Sequence, residues 1–310
     1  MKTHNQRQVY GETLLELGKE YRNIVVLEAD LGKSTMTTLF EQEFPERFFE
    51  MGIGEANMTS FAAGLSLTGK IAFTNSFAVF AAGRSFDQIR QAISIPKLNV
   101  KIVGSSAGLS DFGDGATHQS VEDIAIMRAI PNMTVLAPAD GIETGKMVRK
   151  MVEYDGPVYL RLNRHDLPDL FPEDEEYVIG KSYLIKDGSD FVVFANGIMV
   201  SRALQAAEIL EKEGVSVRVV NVSSLKPIDE EQIKEFTTIV KGIVTAEEHS
   251  LIGGLASTIS YILRGNGIPL IPVGIEDRFG QSAHNYDELL EEYGLTVEKI
   301  YNSIMKLSQG

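Results

Sequence analysis

Phe48-Phe49-Glu50-Met51-Gly52-Ile53-Gly54-Glu55-Ala56-Asn57-Met58 is the stretch on which the reading of the fold turns. It reads as a strand, a glycine-hinged turn and a helix that runs to Thr68 and stops at Gly69. Gly52 and Gly54 let the backbone turn sharply and let another group approach closely. Glu55 then stands at the mouth of an apolar helix with almost no polar neighbour in sequence. A helix N-terminus favours its charge; an apolar pocket disfavours it. Where the pocket prevails, Glu55 can hold or share a proton near neutral pH, as a general acid/base requires. The competing reading is that Glu55 only caps its helix, since acidic first turns are common.

Outward from that stretch, strands alternate with helices. Residues 8–21 have apolar positions at roughly helical spacing. Residues 24–29 form a short buried strand, followed by Asp30 to Ser34 at its C-terminal end, where ligands bind in α/β sheets. Residues 71–74 are a strand, and Asn75 opens a helix reaching about Ser94. Residues 100–104 are a strand that runs into a loop, 105–119, rich in glycine and small polar residues. Long irregular loops in compact domains are often functional. A helix (121–129), a strand (133–137), a helix (140–154) and a last strand (157–162) complete a parallel-sheet domain. Residues 166–176, acidic and punctuated by Pro168 and Pro172, read as a linker. Strands at 191–195, 215–220, 242–247 and 268–274, with helices at 199–213 and 253–264, make a smaller second domain. The fold class is therefore α/β, with two doubly wound domains divided as 1–171 and 172–310.

The chain has 310 residues, 43 acidic against 29 basic, a formal charge of -14. That balance makes it a poor general binder of nucleic acid or of an anionic membrane. An anionic substrate must be met by local Arg, Ser or backbone N–H groups. With no Cys there is neither disulfide nor thiol chemistry, which fits a cytoplasmic location. The first residues lead directly towards a helix without a signal-peptide apolar core, and no apolar run is long enough to span a membrane.

Each chemical candidate has a bland counterpart. Gly113-Asp114-Gly115 looks like part of the metal–diphosphate motif of thiamine enzymes, but that motif wants an Asn some thirty residues on. Asn132 is too close and precedes a strand, so no metal site is expected here. Asp114 is otherwise a solvated loop residue, and His118 a loop histidine bound to backbone. Phe77 and Phe80 stand at i and i+3 and so share a helix face, a pattern common in cores. Arg164 can pair with Asp166 or Asp169. No P-loop, dinucleotide fingerprint or nucleophile elbow is present.

The joint order of four segments, 52–58 (Gly-Ile-Gly-Glu-Ala-Asn-Met), 75–84, 113–119 (Gly-Asp-Gly-Ala-Thr-His-Gln) and 130–140, strongly resembles transketolase. The resemblance is to its C-terminal half, a pyrimidine-binding domain plus a C-terminal domain, which in two-gene transketolases is a separate subunit. It implies thiamine diphosphate as cofactor, with Glu55 on the position that binds the aminopyrimidine ring nitrogen. Phe77 and Phe80 fall on the aromatic wall around that ring. Asp114 falls on a hydroxyl-binding position and His118 on the donor-carbonyl position, so Glu55 and His118 are the catalytic pair. Arg164, Ser34 and Arg7 fall on sugar-phosphate positions, where a guanidinium can grip phosphate through two hydrogen bonds.

The resemblance also implies what lies elsewhere. The diphosphate and its Mg2+ or Ca2+ belong on an N-terminal-half partner subunit, in an α2β2 assembly acting on sugar phosphates. One departure is Ser106, where many transketolases carry a phosphate-binding His; there the loop is nearer to deoxyxylulose-phosphate synthases. The alternatives are a subunit like that enzyme, one like the beta subunit of a 2-oxo acid dehydrogenase, or a catalytically silent regulatory subunit.

Overall fold

The computed structural model describes residues 2–309. In chain order the elements begin with β1 (Thr3–Asn5), α1 (Gln6–Glu20), β2 (Ile24–Glu28), α2 (Gly32–Thr35), α3 (Thr38–Glu43) and β3 (Phe48–Glu50). Next come α4 (Glu55–Ser66), β4 (Ile71–Phe77), α5 (Ala78–Gly83), α6 (Phe86–Gln88, continued by a π-helical turn Ile89–Ser94) and β5 (Val100–Ser105). Then follow α7 (Asp123–Ala129), β6 (Thr134–Leu136), α8 (Gly141–Glu153), β7 (Val158–Arg161) and β8 (Asp166–Pro168). The remainder is β9 (Tyr183–Lys186), β10 (Phe191–Ala195), α9 (Met199–Lys212), β11 (Val217–Asn221), β12 (Ser224–Lys226) and α10 (Glu230–Phe236). It closes with β13 (Gly242–Ser250), α11 (Leu255–Ile262), β14 (Leu270–Ile275), α12 (Tyr286–Glu292) and α13 (Val297–Ser308).

Two sheets organise these elements into an α/β fold. The larger has seven strands in the order β12-β6-β7-β5-β4-β2-β3, all parallel except β12. The smaller has five, β14-β13-β10-β11-β9, with β9 antiparallel. Strands β2, β4, β5 and β7 are buried along their whole length. Their sequences are accordingly apolar at most positions, as parallel strands covered on both faces require, with Thr74 to Ser76 and Lys101 among the buried polar exceptions. One apolar cluster joins Ile124, Met127, Val135 and Leu225 of the larger sheet and its helix to Val192, Phe194 and Leu255 beside the smaller. No helix among the described residues is long and apolar enough to cross a membrane.

Four expectations are corrected. Residues 75–77 continue β4 rather than opening a helix, because the strand stays paired with β5 as far as Phe77 opposite Ser105. Phe77 therefore ends a strand, and only Phe80 lies on α5. Residues 166–168 are not linker; they pair antiparallel with β1, Thr3 opposite Pro168 and Asn5 opposite Asp166. The first helix accordingly starts at Gln6, where the Asn5 side chain accepts from the amides of Arg7 and Gln8. Strand β7 is not the last of its sheet, since β12 from beyond residue 220 closes the edge beside β6.

Candidate functional site

The C-terminal ends of β2, β4, β5 and β7 meet along one rim, the place where open α/β sheets bind ligands. Glu55 is the first residue of α4 and is 3% exposed. Its oxygens do not cap its own helix. They accept from Arg84 Nη1 at 3.0 and 3.2 Å. Arg84 lies just beyond α5, and its guanidinium stands 4.1 Å over the Phe80 ring. Phe80 stacks on Phe77 at 6.2 Å between centroids, with an interplanar angle of 18°. The His118 ring meets Phe80 edge-on at 5.2 Å and Phe77 at 6.4 Å. One continuous set of contacts thus runs Glu55–Arg84–Phe80–Phe77–His118.

His118 comes from the loop after β5, and its Nδ1 lies 2.9 Å from the Thr117 hydroxyl. The loop is folded around glycines that need left-handed backbone: Gly108 (φ +64°) and Gly115 (φ +74°). At Gly115 a side chain would collide with Ser282 of the following domain. Asp114 is exposed on this loop. Asp111, three residues earlier, is buried and accepts from Arg164 Nη1 at 2.6 Å. Arg164 therefore pairs with Asp111, not with Asp166 or Asp169. Burial pushes the Asp111 carboxyl up; the Arg164 charge opposes that and neighbouring Asp114 reinforces it.

Arg7 joins this second group: its Nη2 donates to the Arg164 carbonyl at 3.3 Å. Burial, then the charge of Arg164, lowers its pKa to about 10. Ser34 sits in α2, in a recess of about 300 Å3 shared with Asp30, Lys33 and Glu50. Among the described residues no hydrogen bond joins it to Arg7 or Arg164. Its turn is held from below by Glu28, which accepts from the hydroxyls of Thr35 at 2.7 Å and Thr37 at 2.6 Å. Ser106 is fully buried with φ +52° and its hydroxyl finds no partner among the described residues. The hydroxyls of Ser76 and Ser105, at the ends of adjacent strands β4 and β5, are likewise buried without one.

The structure thus unites Glu55, Phe77, Phe80 and His118 in one group, and Arg164 and Arg7 in another; the loop carrying Asp114 and His118 connects them. Sequence reasoning missed Arg84 and Asp111. Arg84 closes the segment 75–84 that was singled out, four residues after Phe80. Asp111 stands three residues before Asp114 in the same loop. The Arg84 signal was available as spacing; Asp111 was masked by acids nearer to Arg164 in sequence.

The pyrimidine binding domain of transketolase matches residues 2–169, and the transketolase C-terminal domain matches residues 180–300. The fold is thus a pyrimidine-binding α/β domain with a second α/β domain appended. The chain belongs to the transketolase family, of which it carries the C-terminal half. A Methanocaldococcus jannaschii protein named for a transketolase C-terminal section is 49% identical, covering 97% of this chain and 95% of its own length. A 6-deoxy-6-sulfo-D-fructose transketolase subunit of Clostridium sp. (strain MSTE9) is 39% identical, covering 100% and 96%. Among solved structures, a split-gene transketolase described as an inactive β4 tetramer superposes with a TM-score of 0.87 at 46% identity, covering 97% of both chains.

Proposed function

We propose that this chain is one subunit of a thiamine diphosphate-dependent transketolase, transferring a two-carbon ketol unit between sugar phosphates, and that it is active only with a diphosphate-binding partner. The observation that carries this is the burial of the Glu55 carboxylate beside a stacked phenylalanine pair and His118. The site fits an aminopyrimidine: an acid, an aromatic wall and unpartnered buried hydroxyls at the strand ends gather on one rim. Glu55 would bind the ring nitrogen, and Phe77 and Phe80 would exclude water and so strengthen that contact. When bound, thiamine diphosphate supplies the carbon that accepts the ketol unit. His118 orients the donor carbonyl, and Asp114 takes a substrate hydroxyl. Arg164, held by Asp111, and Arg7 would receive the phosphate, and Ser34, in its own recess, is proposed as a further phosphate ligand. The partner would hold the diphosphate and its Mg2+ or Ca2+ in an α2β2 assembly. Residues 1–171 would form the pyrimidine-binding domain and 172–310 the C-terminal domain.

The relative described as an inactive β4 tetramer supports the dependence on a partner. Relatives include the sulfofructose transketolase subunit and, at 36% identity over 97% of this chain, an apulose-4-phosphate transketolase subunit of Phocaeicola vulgatus. A second reading has one observation in its favour. A 1-deoxy-D-xylulose-5-phosphate synthase of Dictyoglomus turgidum is 36% identical over 97% of this chain, which spans 49% of that enzyme. The experiment mixes the purified chain with its N-terminal-half partner, thiamine diphosphate and Mg2+, offering xylulose 5-phosphate or pyruvate as donor. Transfer from the ketose phosphate only in the mixture is expected. Transfer by the chain alone would overturn the shared-site reading, and use of pyruvate instead would favour the synthase.

A further inference from the structure

The second sheet meets the candidate substrate loop at a buried carboxylate. Glu248, near the C-terminal end of β13, is 2% exposed. Its Oε1 accepts from the Leu109 amide at 2.8 Å and from the Tyr286 hydroxyl at 2.7 Å. Its Oε2 accepts from Asn163 Nδ2 at 3.3 Å. Gly108 presses on the same carboxyl: a Cβ there would lie 2.4 Å from Glu248 Cδ. Leu109 belongs to the loop that carries Asp111, Asp114 and His118. Asn163 immediately precedes Arg164, and its Oδ1 accepts from the His165 amide at 2.8 Å. The Arg164 amide in turn faces the Ser110 hydroxyl at 3.3 Å.

Other contacts from beyond residue 172 touch the loop by backbone. The Ala283 amide donates to the Phe112 carbonyl at 3.0 Å, and Gln119 Nε2 donates to the Gln281 carbonyl at 3.0 Å. Glu248 differs from these because it holds two segments at once. A buried carboxylate whose donors come from separate segments fixes their relative position, since releasing any donor leaves a desolvated acceptor unpaired.

We propose that Glu248 is a positioning residue for the sugar-phosphate site: its buried carboxylate braces the loop bearing Asp114 and His118 against the segment bearing Arg164, alongside the direct Arg164–Asp111 and Arg164–Ser110 contacts. The inference rests on the reading of those three residues as substrate ligands. It assigns the second domain a part in substrate binding without contact to substrate.

The test uses the full chain and three variants: Glu248→Gln, Asn163→Asp and the two combined. A glutamine turns an amide donor toward the Asn163 donor; the combined variant restores a donor–acceptor pair between residues 163 and 248, while the Tyr286 hydroxyl, which accepts from Asn163 Nδ2 at 2.8 Å, must turn to donate to the carboxylate at 163. Hydrogen exchange is read by mass spectrometry on the chain alone. In Glu248→Gln, exchange over 106–119 and 163–168 should rise about tenfold while strand 191–195 stays unchanged, and the combined variant should recover most of the loss. With the partner subunit present, Glu248→Gln should raise KM for the sugar phosphate about tenfold and change kcat less than about threefold. Unchanged exchange in the two segments, an equal rise in the core strand, or an unchanged KM would each overturn the proposal. Should the wild-type mixture transfer no ketol unit, the functional reading fails by itself, and the exchange data still decide whether Glu248 holds the two segments together.

Discussion

The Glu55 carboxylate and the Arg84 guanidinium lie 3.0 Å apart, the first buried and the second with half its side chain in solvent. They are unequal partners. Arg84→Met strips a buried carboxylate of its cation, while Glu55→Gln leaves an arginine that water can solvate. Removing one partner of a buried pair costs about 3–5 kcal/mol. Solvent screening of the half-exposed Arg84 reduces that to about 1–2 kcal/mol here. Urea unfolding should therefore show Arg84→Met to be the more destabilised variant; equal losses would contradict this account.

On activity the order reverses. Glu55→Gln keeps the shape of the side chain but cannot share a proton with a bound pyrimidine. In the reconstituted complex its turnover should fall by about a thousandfold or more, with unchanged circular dichroism. Near-normal turnover would remove Glu55 from the chemistry.

Phe80 touches both Arg84 and His118, so Phe80→Ala removes a ring face and an edge contact together. Affinity for thiamine diphosphate in the complex should fall about tenfold. The readout is titration of activity against cofactor, and an unaltered midpoint would place the aromatic wall elsewhere.

Arg164→Lys retains the charge beside Asp111 but loses the planar fork. KM for a phosphorylated sugar should rise about tenfold, while a sugar lacking the phosphate is handled as before. Equal effects on both would point to a general disturbance of the loop.

Glu143 gives a pH dependence. Burial raises its pKa to about 7, against hydrogen bonds from the Ala139 amide, Ser223 and Asn221 that pull it down. The folded chain then holds this proton more tightly than the unfolded chain does. The stability it contributes is fully present below the ordinary carboxyl value of 4.5 and is lost as pH rises through about 7. Relative to Glu143→Gln, the wild type should lose about 3 kcal/mol across that window. Guanidinium unfolding at pH 4.5, 6 and 8 measures it, and parallel profiles would contradict it.

The alternating strands and helices, and the helix beginning at Glu55, were legible because apolar runs and glycine turns are local signals. The β4 boundary was not. Asn75 and Ser76 read as the start of a helix, yet Asn75 is satisfied inside the sheet by the Tyr10 hydroxyl and the Leu27 carbonyl. Three-residue strands such as β1, β8 and β12 are too short to show a period, and their partners lie far away in sequence. The aromatic–acid group could be named from ordered segments. The Arg164–Asp111 pair could not, because nearer acids in sequence competed for the arginine. Glu248 left one trace: charged residues at 247 and 248 at the end of a strand otherwise apolar.

Strand β12 has a practical corollary for anyone who would divide this polypeptide. Residues 224–226 supply the outermost rung beside β6, so a fragment ending at 171 would expose a bare edge and invite aggregation. Nicking is a different matter. The exposed stretch 172–176 is held where Lys146 grips the carbonyls of Pro172 and Glu173. A protease cutting there should yield two pieces on a denaturing gel that still elute from a sizing column as one particle.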